Sequence, residues 1–290
     1  MTQKQPLPSW DRVDGVLGKT ERLILAKKQI TIVGVGSNGS EITRQLVMSG
    51  VGSFNLVDPD ILEATNVVRH VLGLTSLGKS KVEEMKHYLL TERNPKVKVK
   101  TFVEDARFNQ VIFKGSDLVI ISGLGSNARQ SLIADQARSV GIPVICSGVF
   151  TKGVGGETFV IYPQGACYAC ISSFVGRKLD EDSLRDRTNP YGAAPDEVAA
   201  MPALATDIVR ISTFAAEWSL KVLLGRPVFE GDSRVNLMVF ANRRHRLGKD
   251  KTGDVFLEPY ESQFAAVAQS KACLVCNNKL TQTSIESLIS

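Results

Sequence analysis

The passage from 29 to 48 constrains the fold more than any other. Gln29-Ile30-Thr31-Ile32-Val33 is a short run rich in β-branched residues, and Gly34-Val35-Gly36-Ser37-Asn38-Gly39 follows it at once. From 40 to 48 the apolar residues Ile42, Leu46 and Val47 then recur at helical spacing. Strand, glycine turn and helix in immediate succession are the opening of a βαβ unit. A Gly-x-Gly-x-x-Gly turn at a helix start lets backbone amides and the positive end of the helix dipole face a phosphate. Asp58 closes the next strand-like run, 53–57, where a carboxylate can bond ribose hydroxyls. By itself the turn suits a nicotinamide or flavin enzyme as well as a nucleotide-activating one.

Strand-like runs at 97–102, 117–121 and 143–147 alternate with helical patterns at 81–90 and 128–140. The class is α/β: a Rossmann-like, mostly parallel sheet with helices on both faces. After Phe150 the pattern changes. Residues 151–156 are glycine-rich, 157–162 read as a strand, and 172–202 are polar with several prolines, a crossover loop. One long helix is expected at 203–224, its apolar face formed by Ile208, Ile211, Phe214, Ala215, Trp218 and Val222, with a late strand at 235–240 and a loose tail from Thr281. The chain thus divides into an N-terminal helical arm (1–28), a nucleotide-binding core (29–170), a crossover loop (171–203) and a C-terminal helix, strand and metal-binding segment (204–290).

With 290 residues, 43% hydrophobic and 22% charged, the composition is that of an ordinary globular protein. The apolar runs are strand-length, far below the ~20 residues needed to cross a bilayer, and the first residues lack a signal-peptide pattern. A cytoplasmic location and no membrane partner are expected. The net charge of +5 is carried by Lys and Arg interspersed with acids; Lys96, Lys98 and Lys100, like Arg243, Arg244 and Arg246, read as solvated faces. No aromatic-rich basic stripe is present, so no nucleic-acid partner is expected.

Cys167-Tyr168-Ala169-Cys170 and Cys273-Leu274-Val275-Cys276 are two Cys-x-x-Cys pairs. A single pair would leave redox chemistry open, whereas two pairs suit a tetrahedral zinc ion whose four thiolates leave no position for substrate. Such a site is structural.

Three further segments narrow the reading: Leu56-Val57-Asp58-Pro59-Asp60, Asn66-Val67-Val68-Arg69-His70 and Gly78-Lys79-Ser80-Lys81. In order and spacing they resemble the ThiF, MoeB and ubiquitin-activating superfamily, over roughly 11–224 plus the last cysteine pair. The resemblance implies ATP-dependent adenylation of the C-terminus of a ubiquitin-like protein, with ATP, magnesium and zinc as cofactors. It implies that Gly34, Gly36 and Gly39 meet the phosphates, Asp58 binds the ribose, Asn66 and Arg69 hold the phosphates, and Lys81 stabilises the α-phosphoryl transition state; Asp60 is a carboxylate that could hold magnesium beside the triphosphate. Arg12 stands where the superfamily has an arginine reaching into a partner subunit's site, which implies a homodimer or heterodimer. Leu56 to Gly73 and Val149 to Cys170 are most similar to stand-alone bacterial enzymes that work with a conjugating enzyme in systems linked to antiphage defence. Sulfur-carrier activation, and a nucleotide-binding pseudoenzyme that docks a ubiquitin-like partner, are the alternatives.

Two departures are visible. Leu124, followed by Gly125, stands where many relatives have a magnesium-binding Asp, and a leucine cannot ligate a metal. The crossover loop holds no cysteine for a thioester, and Cys146, inside an apolar strand, reads as a small buried hydrophobe. His70 and His87 have no partner that the sequence reveals.

Overall fold

A computed structural model describes residues 7–176, 202–250 and 253–276. Eight strands form one sheet, in the order β10-β7-β6-β5-β4-β1-β2-β3. They are β1 (Gln29–Val33), β2 (Ser53–Val57), β3 (Lys98–Phe102), β4 (Leu118–Ser122), β5 (Val144–Val149), β6 (Gly155–Ile161), β7 (Leu237–Ala241) and β10 (Ser262–Ala265). β1 to β5 are mutually parallel, while β6, β7 and β10 extend the sheet antiparallel. A separate two-stranded ribbon pairs β8 (His245–Asp250) with β9 (Gly253–Leu257).

Helices cover both faces because alternate residues along each central strand point to opposite sides. In β4, Leu118 and Ile120 join one apolar cluster and Val119 and Ile121 the other, all fully buried. That continuous apolar run is what a strand covered on both sides requires. The first cluster packs α3 (Ser37–Met48), α5 (Lys81–Tyr88) and α8 (Ala205–Leu223) through Ile42, Leu46, Val82, Met85, Ile211 and Trp218. The second packs α6 (Asn127–Ser139) and α7 (Tyr168–Phe174) through Ile133, Ala134, Tyr168 and Ile171. Three short helices are also found among the described residues: α1 (Asp11–Leu17), α2 (Lys19–Leu25) and α4 (Ala64–Val67). Burying Ile42, Leu46 and Val47 contributes roughly 5–8 kcal/mol to seating α3. Packing therefore outweighs the helix's own propensity in placing the start of α3.

The expected strands at 29–33 and 53–57 coincide with β1 and β2, and the other expected strands are displaced by one or two residues. One expectation is corrected. Residues 172–174 belong to α7 and not to the crossover loop, because Ile171 and Ser172 are buried against the sheet; the boundary drawn at 170/171 therefore cuts a helix. The remaining crossover residues, 177–201, and the tail from Thr281 lie outside the described residues. Among the described residues no helix is long and apolar enough to cross a membrane.

Candidate functional site

β1 lies between β2 and β4, so the connections leaving β1 and β4 diverge to opposite sides, and a crevice opens at the carboxyl ends of these strands. Gly34, Gly36, Asp58, Asp60, Ser122 and Leu124 line it, together with Glu104, Asp105 and Arg129.

The three glycines have different reasons. Gly34 sits at φ +87°, and a Cβ there would come 2.2 Å from the Ser122 carbonyl oxygen. At Gly39 a Cβ would come 1.9 Å from the Gly34 carbonyl oxygen. These two let β4 and the first turn of α3 close onto the loop. Gly36, the N-cap of α3, has nothing within 4 Å of where its Cβ would be, yet it lines the crevice. Its missing side chain is room for a ligand. The amides of the first turn of α3 have no intrahelical acceptor and carry the positive end of the helix dipole. Ser122 lines the same crevice, and its Oγ is buried with no hydrogen-bond partner among the described residues. A buried hydroxyl without a partner is costly unless a ligand meets it.

Acidic groups shape the opposite wall. Asp58 accepts the Val35 amide at 2.7 Å through Oδ2 and the Asp60 amide at 2.9 Å through Oδ1. Burial pushes its carboxyl above the usual range; the Lys81 charge and the two amides oppose this, and Asp60 adds to it. Lys81 opens α5, its amide bonded to the Asp60 carbonyl at 3.1 Å and its Nζ to Asp60 Oδ2 at 2.9 Å. Lys81 is only 3% exposed, so its end of the pair is shielded from water, while the Asp60 side chain is partly exposed. Burial would raise Asp105, but the Arg107 guanidinium, bonded to both carboxylate oxygens, holds it below its ordinary value.

The structure thus gathers Gly34, Gly36, Asp58 and Asp60 at the crevice, with Gly39 behind the turn and Lys81 bonded to the crevice wall. Asn66 and Arg69 belong to α4 and the turn after it and do not line the crevice; Asn66 Oδ1 caps α4 by accepting the Glu63 amide at 3.1 Å. Arg12 is exposed on α1 and is likewise not a lining residue. Glu104, Asp105, Ser122 and Arg129 carried no motif and come together only by folding. Asn38, the x before Gly39, spans three segments: its Nδ2 donates to the Ser147 carbonyl at 3.2 Å and to Ser147 Oγ at 3.1 Å, and its Oδ1 accepts from Ser212 Oγ at 2.7 Å.

His70 is a correction, since it does have partners. The Leu72 amide donates to Nδ1 at 3.0 Å, which makes Nε2 the protonated nitrogen, and Nε2 donates to the Val35 carbonyl at 2.8 Å. Burial pushes the imidazole down to about 4; the Val35 carbonyl opposes this, and the Lys81 and Arg69 charges reinforce it. A folded pKa below the unfolded value of about 6.5 gives stability that is fully present above pH 6.5 and lost as pH falls through 4. By pH 4.5 this group should cost on the order of 2–3 kcal/mol relative to pH 7. Urea unfolding at the two pH values should show a smaller acid loss for His70→Gln than for the parent; equal losses would refute it.

The four cysteines meet at the other end of the sheet. β6 runs antiparallel to β5, with Ile161 beside Val144, so Cys167 follows a strand end at the edge away from the crevice. The four sulfurs lie within 4.8 Å of one another, and bonded neighbours are 3.5 to 3.8 Å apart. Zinc–sulfur bonds of about 2.3 Å in a tetrahedron place sulfurs about 3.8 Å apart, so the thiols fit zinc. The Ser270 amide points at Cys170 Sγ from 3.4 Å, a donor that suits a thiolate. Among the described residues this is the one group that could hold a metal ion. Cys146, 1% exposed, is packed in β5 between Ile121 and Phe159.

The ThiF family profile matches residues 12–252. Adenylyltransferase and sulfurtransferase UBA4 of Meyerozyma guilliermondii is 37% identical over 155 residues, 52% of this chain and 36% of that protein. SAMP-activating enzyme E1 of Haloferax volcanii is 28% identical over 151 residues, 51% of this chain and 54% of that one. The chain therefore spans between about a third and a half of the length of these relatives. Among solved structures, E. coli MccB with ATP superposes with a TM-score of 0.64 at 18% identity, covering 88% of this chain and 68% of that one. At that identity the likeness concerns the fold.

Proposed function

The chain belongs to the ThiF family, and on that premise we propose that it adenylates the C-terminal carboxylate of a ubiquitin-like protein. The observation that carries the reading is the crevice itself: open space over Gly36, the amides of the first turn of α3 and the unpartnered Ser122 Oγ converge at the switch point of the sheet. Gly34, Gly36 and Gly39 shape the phosphate seat and Asp58 takes the ribose. Asn66 and Arg69, on the segment that follows the crevice wall, close on the phosphates when ATP binds. A carboxylate oxygen of the partner attacks the α-phosphorus, and the bond to the bridging oxygen breaks. Pyrophosphate leaves with the electron pair, and an acyl-adenylate remains. Negative charge grows on the phosphates as this happens, and Lys81, released from Asp60, is the cation that meets it.

Magnesium would be held by the triphosphate's own oxygens and would offset their charge. Leu124 lines the crevice against Gly34 and offers no ligand, while Asp60, which does line it, is bonded to Lys81. The reaction stops at the adenylate, since Cys146 is enclosed in the sheet. The partner's tail ends in a small residue and reaches the crevice past the crossover. The active unit is a dimer, to which Arg12 contributes from the partner subunit's α1. Conjugation in an antiphage setting, with a conjugating enzyme as the next acceptor, is the finer reading. Sulfur-carrier activation is the second one, favoured by the sulfurtransferase activity in the name of the UBA4 relatives.

Labelled pyrophosphate should exchange into ATP only when the ubiquitin-like partner is present. Exchange without the partner, or none with it, would overturn the assignment. A reducible conjugate on this chain would disprove the thiol-free ending.

A further inference from the structure

Val35, between the first two glycines of the turn, is held at both of its backbone groups. Its N–H donates to Asp58 Oδ2 and its C=O accepts from His70 Nε2. The second bond controls more than Val35. A trans peptide is planar, with C=O and N–H pointing in opposite directions, so fixing the Val35 carbonyl also fixes the amide of Gly36. Gly36 lines the crevice and His70 does not. The two flanking residues are glycines, the residue type whose backbone most readily allows a peptide to turn over. Were the Val35–Gly36 peptide to flip, a carbonyl oxygen would replace an amide donor at the phosphate seat.

Resting on the nucleotide reading above, we infer that His70 is a positioning residue of that site, whose Nε2–H holds the Val35 carbonyl and so keeps the Gly36 amide directed at phosphate. The imidazole does not touch the ligand; it acts through the loop. Its second bond, to the Leu72 amide, fixes the tautomer that makes Nε2 the donor.

Two substitutions separate the bonds. In His70→Gln the side-chain amide nitrogen reaches as far as Nε2 and keeps a donor for Val35. In His70→Asn the side-chain oxygen stands near Nδ1 and keeps the Leu72 bond alone. Titration calorimetry with ATP should show binding within about threefold of the parent for His70→Gln, and about tenfold weaker or worse for His70→Asn, as loss of one hydrogen bond to a charged group implies. Adenosine, which lacks phosphate, should bind all three chains alike. A merely structural role would weaken ATP and adenosine together and follow the thermal midpoint. His70→Leu, which removes both bonds, is read in the same way if the Asn chain does not fold. Equal ATP affinity in the Asn and Gln chains would overturn this inference alone. A parent chain that binds no ATP would overturn the nucleotide reading and this inference with it.

Discussion

Lys81→Ala is expected to slow partner-dependent pyrophosphate exchange by about 100-fold or more, the loss typical of one transition-state donor. ATP affinity should fall much less. The same change has a structural cost, because Lys81 is bonded to Asp60 and its charge is the largest influence opposing the upward push of burial on Asp58. A cation removed from such a place leaves uncompensated acids. The double variant Lys81→Ala with Asp60→Ala separates the two effects. It should recover part of the lost thermal stability, since the ion pair is removed whole, and recover none of the exchange. An Ala variant that exchanges at the parent rate would remove Lys81 from the reaction.

The second large effect is on stability. Zinc chelation, or Cys273→Ser, should lower the thermal midpoint on the order of 10 °C, as loss of a structural metal site worth several kcal/mol implies for a chain of this size. The bonds at stake join residues far apart: Cys167 to Cys273, and Cys170 to Cys276. Because this cluster stands at the sheet edge away from the crevice, ATP affinity below the new midpoint should stay near that of the parent. Metal analysis of reduced, folded protein should find one zinc per chain. A metal-free preparation with an unchanged midpoint would refute the assignment.

The parts of the fold legible in the sequence are those set by local pattern. β1 and β2 were readable to the residue because a β-branched run ends sharply at Gly34 and a short apolar-rich one at Asp58, and the cysteine centre because two short spacings announced it. β8, β9 and β10 were not readable: His-Arg-Leu-Gly-Lys-Asp lacks an apolar alternation, and Ser262–Ala265 is a four-residue edge strand with half-exposed side chains. α7 was hidden by its brevity and by the prolines that follow. In the crevice, Gly34 and Asp58 were visible because a glycine turn and a strand end mark their positions, although the carbonyl that excludes a side chain at Gly34 comes from β4. Ser122, Glu104, Asp105 and Arg129 were not, because they come from the end of β4, the loop after β3 and the first turn of α6, which only folding brings together. His70 was invisible for the same reason: its acceptor is a main-chain carbonyl, which no side-chain pattern records.

Asn38 also sets when the site can exist. Its amide bonds residues 147 and 212, and the contact with Ser212 spans 174 positions. A ribosome adding roughly 5–20 residues per second needs about ten to thirty seconds to cover that interval. Throughout it the glycine turn is already made but α3 lacks its final anchor. The phosphate seat at Gly34 to Gly39 is thus completed only once Ser212 has been made, and a nascent chain interrupted before α8 should retain no nucleotide.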